Sequence, residues 1–214
     1  MENGQYVNTI LERLGRRYGR DLTTGLIHHG MTELFVAVFL SPQCTDKQVN
    51  KVTPALFDRY RRFDDYAKAD LRELNGYLSG LNYYKTKARN LKRSAAIITG
   101  RFGGRVPDTL GELMELPGVG RKVANVVLNA WYKRDEGIAV DTHCARVSRR
   151  LGLSRRADPH KIEADLMRKV PKDEWGKVSN LFIALGRDVC KARARQCYGC
   201  VLNDICPSSN VRRR

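Results

Sequence analysis

Leu116-Pro-Gly-Val-Gly-Arg-Lys-Val-Ala-Asn-Val-Val-Leu-Asn129 is the stretch on which the reading of this chain turns. Upstream of it, Asp108 is placed to cap a short helix through Leu116, with Pro107 before it and Pro117 after it. Downstream, Val123 to Trp131 reads as a second helix. The turn between them holds Gly118 and Gly120. Glycine permits positive φ and lets a backbone approach a ligand closely. A helix starting at Arg121 aims its first N–H groups and the positive end of its dipole back at that turn, which suits a phosphate. Two helices joined in this way form a helix-hairpin-helix, a grip on the DNA backbone that reads no sequence. Leu116, Gly118, Val119, Gly120 and Arg121 are therefore candidate DNA contacts. The same residues also fit an ordinary helix–helix turn. The adjacent cations Arg121 and Lys122, with the charge of the whole chain, favour the phosphate.

Working outward, nearly every segment has helical periodicity. Thr32 to Leu40 is a capped apolar run, as a buried helix would be. Lys47 to Tyr60 places Val49, Val52, Leu56 and Tyr60 on one face, and Tyr83 to Phe102 carries the stripe Ala88, Leu91, Ala95, Ile98 and Phe102. Further helices are expected over Thr142–Leu151, Pro159–Val170 and Asp173–Val189, and Val7 onward is amphipathic. No sustained period-two alternation or Asn-Gly hairpin signal is present. The fold class is all-α. The tail Val211-Arg-Arg-Arg is expected to be mobile.

The chain has 214 residues, with 39 Lys and Arg against 23 Asp and Glu, a net charge of +16. Such an excess draws a protein to polyanions, DNA, RNA and acidic membranes alike. The start lacks the basic and apolar regions of a secretory signal, and the longest apolar run, Leu34 to Leu40, is far short of a membrane span. A soluble, cytoplasmic protein is expected. Four of the six cysteines crowd into Cys190, Cys197, Cys200 and Cys206, with spacing C-x6-C-x2-C-x5-C. In a reducing compartment such a cluster points to metal rather than disulfides. Four thiolates satisfy tetrahedral zinc or a [4Fe–4S] cluster; zinc modules present two close pairs, and here only Cys197 and Cys200 form one. Lys191, Arg193 and Arg195 lie between the first two, either as a solvated loop or as a surface presented to phosphates.

The hairpin stretch resembles that of the endonuclease III family of DNA glycosylases. Val140-Asp-Thr-His matches a second family signature, Leu40-Ser-Pro-Gln-Cys-Thr-Asp a third and Gly80-Leu-Asn-Tyr-Tyr-Lys a fourth, and the cysteine spacing is similar to its cluster loop. The matched segments run through nearly the whole chain in the family's order. The resemblance implies a bifunctional base-excision repair enzyme that removes damaged bases, oxidised pyrimidines among them, from double-stranded DNA and then acts as a lyase at the abasic site. It also implies a [4Fe–4S] cofactor, a monomer, and two lobes: residues 24–133 as a six-helix domain with the hairpin, and 1–23 with 134–214 around the cluster.

By the same resemblance Lys122 is the nucleophile and Asp141 the catalytic carboxylate, facing each other across a DNA-binding cleft. Read alone, Lys122 is a solvated lysine and Asp141 a good helix N-cap. Relatives that only excise adenine or mismatched thymine generally carry Ser or Tyr at the lysine position, so Lys122 argues against a mismatch-specific glycosylase, and both residues together argue against a non-catalytic DNA-binding module. An extruded base leaves a gap. The resemblance makes Gln43 and Leu81 the residues that fill it, each projecting from a loop, with Asp46 supporting the pocket wall. Tyr83 and Tyr84 suit either DNA contact or the core, and His143 reads as structural. Cys44 and Cys144 depart from the family pattern.

Overall fold

The structure, a computed structural model, describes residues 3–19, 22 and 24–211. The three arginines of the tail lie outside the described residues. No strand occurs among those described, so the all-α expectation is borne out. No described helix is long and apolar enough to cross a membrane. The chain divides into two compact units: Gly25–Lys133, the hairpin unit, and Met1–Thr24 with Arg134–Arg214, the cysteine unit.

The hairpin unit is built on α2 (Met31–Leu40), in which every residue from Leu34 to Leu40 is buried. An apolar run without amphipathic gaps has no face to offer water, so it becomes the centre of the unit. Around it lie α3 (Asp46–Arg59), α4 (Phe63–Lys68), α5 (Leu71–Leu78), α6 (Tyr84–Phe102), α7 (Leu110–Glu115) and α8 (Arg121–Val127). These are seven α-helices among the described residues, where the resemblance implied six and the periodicity marked five. The two without a periodic signal are α4, too short at six residues to show a period, and α5, interrupted by Gly76. The α6 stripe is buried at Ala88, Leu91, Ala95 and Ile98. α3 starts on a capping box in which Thr45 and Gln48 satisfy each other's backbone N–H groups.

Two boundaries in this unit differ from expectation for a local reason. Thr109, not Asp108, caps α7 by accepting from the Glu112 N–H, because the extended backbone at 109 brings its hydroxyl within reach. The helix expected to end at Trp131 widens into a π-turn over Leu128–Tyr132. The chain leaves it through Lys133, a left-handed residue at φ 55°.

The cysteine unit packs α1 (Asn3–Tyr18), α9 (Thr142–Arg150), α10 (Pro159–Met167) and α11 (Trp175–Asp188) around one apolar core. Val7, Ile10, Leu11 and Leu14 of α1 enter that core with Phe182 and Leu185 of α11 and with Leu202 from the cysteine loop. Pro159 opens α10 at a position where a missing N–H costs nothing. α11 begins two residues later than expected, because Lys172–Glu174 forms a separate 3-10 turn.

Candidate active site and cysteine loop

At the hairpin, side chains and backbone face opposite ways. Leu116 and Val119 are buried, whereas Gly118 and Gly120 are exposed. The two apolar side chains root the turn, and the Val119 N–H closes it on the Leu116 carbonyl at 2.9 Å. Ser94 of α6 donates to the Pro117 carbonyl at 2.8 Å and ties the turn to the body of the unit. Gly118 is required twice over: its φ is +87°, and a Cβ there would meet the Phe39 ring at 2.9 Å and the Asn90 Cβ at 3.1 Å. Gly120 is different. Its φ of −90° suits any residue, and a Cβ would meet nothing within 4 Å. The fold itself therefore does not demand glycine at 120, and open space lies where a ligand would come against the backbone.

Gly120 is the N-cap of α8 and offers no side chain to its first N–H groups. Arg121 and Lys122, the first two residues of that helix, are half-buried. The following Val123, Ala124 and Asn125 are buried, so α8 is held against the unit on one side while its start faces the turn.

Asp141 belongs to the cysteine unit. Its Oδ1 accepts the Cys144 N–H at 2.7 Å and caps α9. The approach to it, Ile138 to Val140, is buried and pinned: Ser179 donates to the Ala139 carbonyl at 2.5 Å, and the Ile138 N–H donates to Glu163 at 3.2 Å. Asp141 thus sits at the end of a fixed strap, with one carboxylate oxygen engaged by backbone. His143 is held by Arg146, whose Nη2 lies 3.1 Å from its Nδ1, which fits its structural reading.

The four loop cysteines are half-buried and line one cavity with Leu151, Leu185 and Val189. Among the described residues no three His, Cys, Asp or Glu side chains converge as ligands of a single ion would. The thiols ring one space, a donor set that either a [4Fe–4S] cluster or a tetrahedral zinc ion could take. Burial pushes the Cys200 and Cys206 thiols up from their ordinary value.

Three cations that the sequence reading passed over organise the sites. Arg150, at the end of α9, donates to the Cys190 Sγ at 3.3 Å and to the carbonyls of Cys190, Lys191 and Ala192 at 2.7–3.2 Å. Arg146 adds a bond to the Cys190 carbonyl at 3.1 Å. Lys87 is 8% exposed and donates to the carbonyls of Leu40 and Pro42 and to the Cys44 Sγ, at 2.8, 2.9 and 3.0 Å. Lys191, Arg193 and Arg195 are exposed, and Arg195 reaches the Ser208 carbonyl at 2.9 Å.

The Gln43 loop is exposed at Gln43 itself, whose φ is 59°. Asp46, half-buried in the first turn of α3, lies against Gly25, where a Cβ would meet its Oδ2 at 2.8 Å. Leu81 does not project as expected. It is 3% exposed, because a turn closed by its N–H on the Leu78 carbonyl folds it back into the core. The exposed side chain of that loop is Tyr83, at 65%. Cys144 is fully buried and Cys44 half-buried against Lys87.

Residues 36–172 match the family described as HhH-GPD superfamily base excision DNA repair protein. The chain belongs to that superfamily. Within it the chain is similar to endonuclease III of Bacillus subtilis, 40% identical over 213 residues that cover 99% of this chain and 96% of that protein. It is 43% identical to endonuclease III of Synechocystis sp. over 189 residues, 88% of this chain and 86% of the relative. Among solved structures it superposes on a trapped endonuclease III–DNA covalent intermediate, an estranged-adenine complex, with TM-score 0.90, 41% identity and 97% of each chain covered. A thermostable thymine-DNA glycosylase shares the fold at TM-score 0.81 and 20% identity, over 96% of this chain and 95% of that one. This member of the HhH-GPD superfamily is an endonuclease III-type base excision repair glycosylase, a DNA glycosylase with abasic-site lyase activity.

Proposed function

We propose that the enzyme excises damaged bases, oxidised pyrimidines foremost, from duplex DNA and cleaves on the 3′ side of the resulting abasic site through a Schiff base on Lys122. The observation that carries this is the lysine itself, in the first turn of α8 directly behind the exposed Gly120. A relative 41% identical to this chain has been captured as a covalent intermediate on DNA.

The steps follow from the residues. The backbone at Gly118 and Gly120 and the start of α8 take a DNA phosphate, with Arg121 beside it. The Lys122 amine attacks C1′ of the extruded nucleotide, and the C1′–N bond to the base breaks with its electron pair leaving on the base. Asp141, an anion fixed by its own helix, stabilises the positive charge that develops on the sugar and assists loss of the lysine proton. The sugar ring then opens: the nitrogen lone pair forms the C1′=N bond as the C1′–O4′ bond breaks and O4′ takes up a proton. The resulting Lys122 Schiff base makes the C2′ proton acidic. Its removal pushes electrons to C3′, and the 3′ phosphate leaves. Gln43 meets the orphaned partner base, Leu81 backs that region from within the core, and Asp46 supports the pocket wall.

Cys190, Cys197, Cys200 and Cys206 would hold a [4Fe–4S] cluster, which supplies rigidity rather than chemistry to a reaction that moves no net electrons. Arg150 and Arg146 fix the Cys190 end of the loop, so Lys191, Arg193 and Arg195 are offered to phosphates from a stiff base.

The test is product analysis on three duplexes, carrying an oxidised pyrimidine, an abasic site or a thymine mismatch. The expected result is strand cleavage on the first two. Excision confined to the mismatch, leaving the strand intact, would favour the mismatch-specific reading.

A further inference from the structure

Six cations and no carboxylate stand on α6: Lys85, Lys87, Arg89, Lys92, Arg93 and Arg101. Three of them answer to the fold. Lys87 is buried on the Leu40 and Pro42 carbonyls and the Cys44 Sγ, Lys92 donates to the Ala69 carbonyl at 2.6 Å, and Arg101 pairs with Glu115. The other three, Lys85, Arg89 and Arg93, are exposed, and their side chains form no hydrogen bond or ion pair with the described residues. Lys85 lies only against the neighbouring Tyr84 ring, 5.9 Å from its centroid.

The three recur every fourth residue, so they form one row along the helix with a rise of about 6 Å per step. The row destabilises its own helix. Like charges four residues apart repel, and Lys85, the second residue of α6, sets a positive charge against the positive end of the helix dipole. Neutral or acidic side chains would serve the helix better, so the row answers to an anion outside the protein.

Its place in the fold favours one kind of anion. The turns of α6 that bear Arg89 and Arg93 also bear Asn90 and Ser94, which support the hairpin. Ser94 donates to the Pro117 carbonyl at 2.8 Å, and a Cβ on Gly118 would meet the Asn90 Cβ at 3.1 Å. The row therefore runs beside the turn that exposes Gly118 and Gly120. A DNA strand gripped there by one phosphate continues to further phosphates, and a line of long, unengaged cations is complementary to them.

We propose that Lys85, Arg89 and Arg93 form a second backbone-binding surface, continuous with the hairpin, that holds duplex DNA without regard to sequence or damage. The inference rests on the reading of the hairpin as a phosphate grip.

The experiment measures binding of an undamaged duplex over a range of salt concentrations for three proteins. One is the parent and one the triple variant Lys85→Gln, Arg89→Gln, Arg93→Gln. The third, Arg155→Gln, Arg156→Gln, Lys161→Gln, removes the same charge from exposed positions of the cysteine unit. Glutamine has a helix propensity close to that of Lys and Arg, so the α6 variant should melt at or slightly above the parent. Each phosphate contact contributes about 0.9 to the slope of log K against log salt, so the α6 variant's slope should be shallower by about two to three units. Its affinity at low salt should fall on the order of ten- to a hundredfold. The control variant should keep nearly the parent slope. An α6 variant with the parent slope, or a control with an equal loss, would overturn the assignment. A parent whose binding ignores salt would bring down the phosphate reading of the hairpin as well.

Discussion

Asp141 accepts the Cys144 N–H at 2.7 Å, so the carboxylate assigned to catalysis is also the cap of α9. The two roles separate by substitution. Asparagine caps as well as aspartate, so Asp141→Asn should keep stability within a few tenths of a kcal/mol, whereas Asp141→Ala should cost about 1 kcal/mol. Both remove the anion, and both should slow base excision by roughly two to three orders of magnitude. Urea midpoints and single-turnover rates measure the two effects side by side. Full activity in Asp141→Asn would leave capping as the residue's only role.

The two hairpin glycines should fail in different ways. Gly118→Ala places a methyl against Phe39 and Asn90 at a positive φ, and should lose about 2 kcal/mol of stability. Gly120→Ala meets open space at an ordinary φ and should melt like the parent. Its methyl would nonetheless stand where the phosphate approaches, and DNA affinity should drop on the order of tenfold. Equal affinity in Gly120→Ala and the parent would remove the phosphate from that side of the turn.

Arg150 should control how firmly the cysteine loop holds its metal. Substitution to Met removes the donor to the Cys190 Sγ and to three successive carbonyls while keeping much of the apolar stem. Outer-shell partners of metal ligands typically matter by about ten- to a hundredfold. Arg150→Met should therefore lose iron to a chelator faster than the parent, as followed by visible absorbance. The stripped protein should keep most of its helical circular dichroism while losing DNA affinity, since Lys191, Arg193 and Arg195 then sit on an unsupported loop. Zinc in the purified protein, in place of iron, would contradict the cluster.

Cys144 should be chemically silent and should set an alkaline limit on stability. Burial pushes its thiol from an ordinary 9.0 to about 12, and the nearby Asp141 adds to the rise. Between those values the native state holds a proton that the unfolded chain has lost, so unfolding is increasingly favoured as pH rises. The contribution is full below pH 9 and is lost between 9 and 12. Urea midpoints taken from pH 8 to 10.5 should fall less steeply in Cys144→Ala than in the parent, once the cost of the lost sulfur at pH 8 is subtracted. A thiol reagent at pH 8 should leave Cys144 unmodified in the native protein.

Legibility in the sequence divided along physical lines. The Leu34–Leu40 run and the hairpin could be read because each states a local requirement: an unbroken apolar stretch for a buried helix, and a glycine at 118 that nothing larger could replace. The cysteine spacing marked out four thiols for one site, and they line one cavity. Arg150, Arg146 and Lys87 were invisible because their partners are carbonyls and sulfurs 40 to 47 residues away in sequence. A cation on a helix reads as solvated until its tertiary acceptors are known. Leu81 was misread for the same reason, since whether a loop leucine projects or folds back depends on the turn closed at Leu78.

The proposed chemistry depends above all on the amine at position 122. Borohydride reduction during turnover on a duplex with an oxidised pyrimidine, followed by peptide mapping, tests it most directly. One protein–DNA adduct is expected, carried by the peptide that contains Lys122 and absent in Lys122→Ala. An adduct mapped to another lysine, or a parent that cleaves the strand without ever becoming trapped, would contradict it.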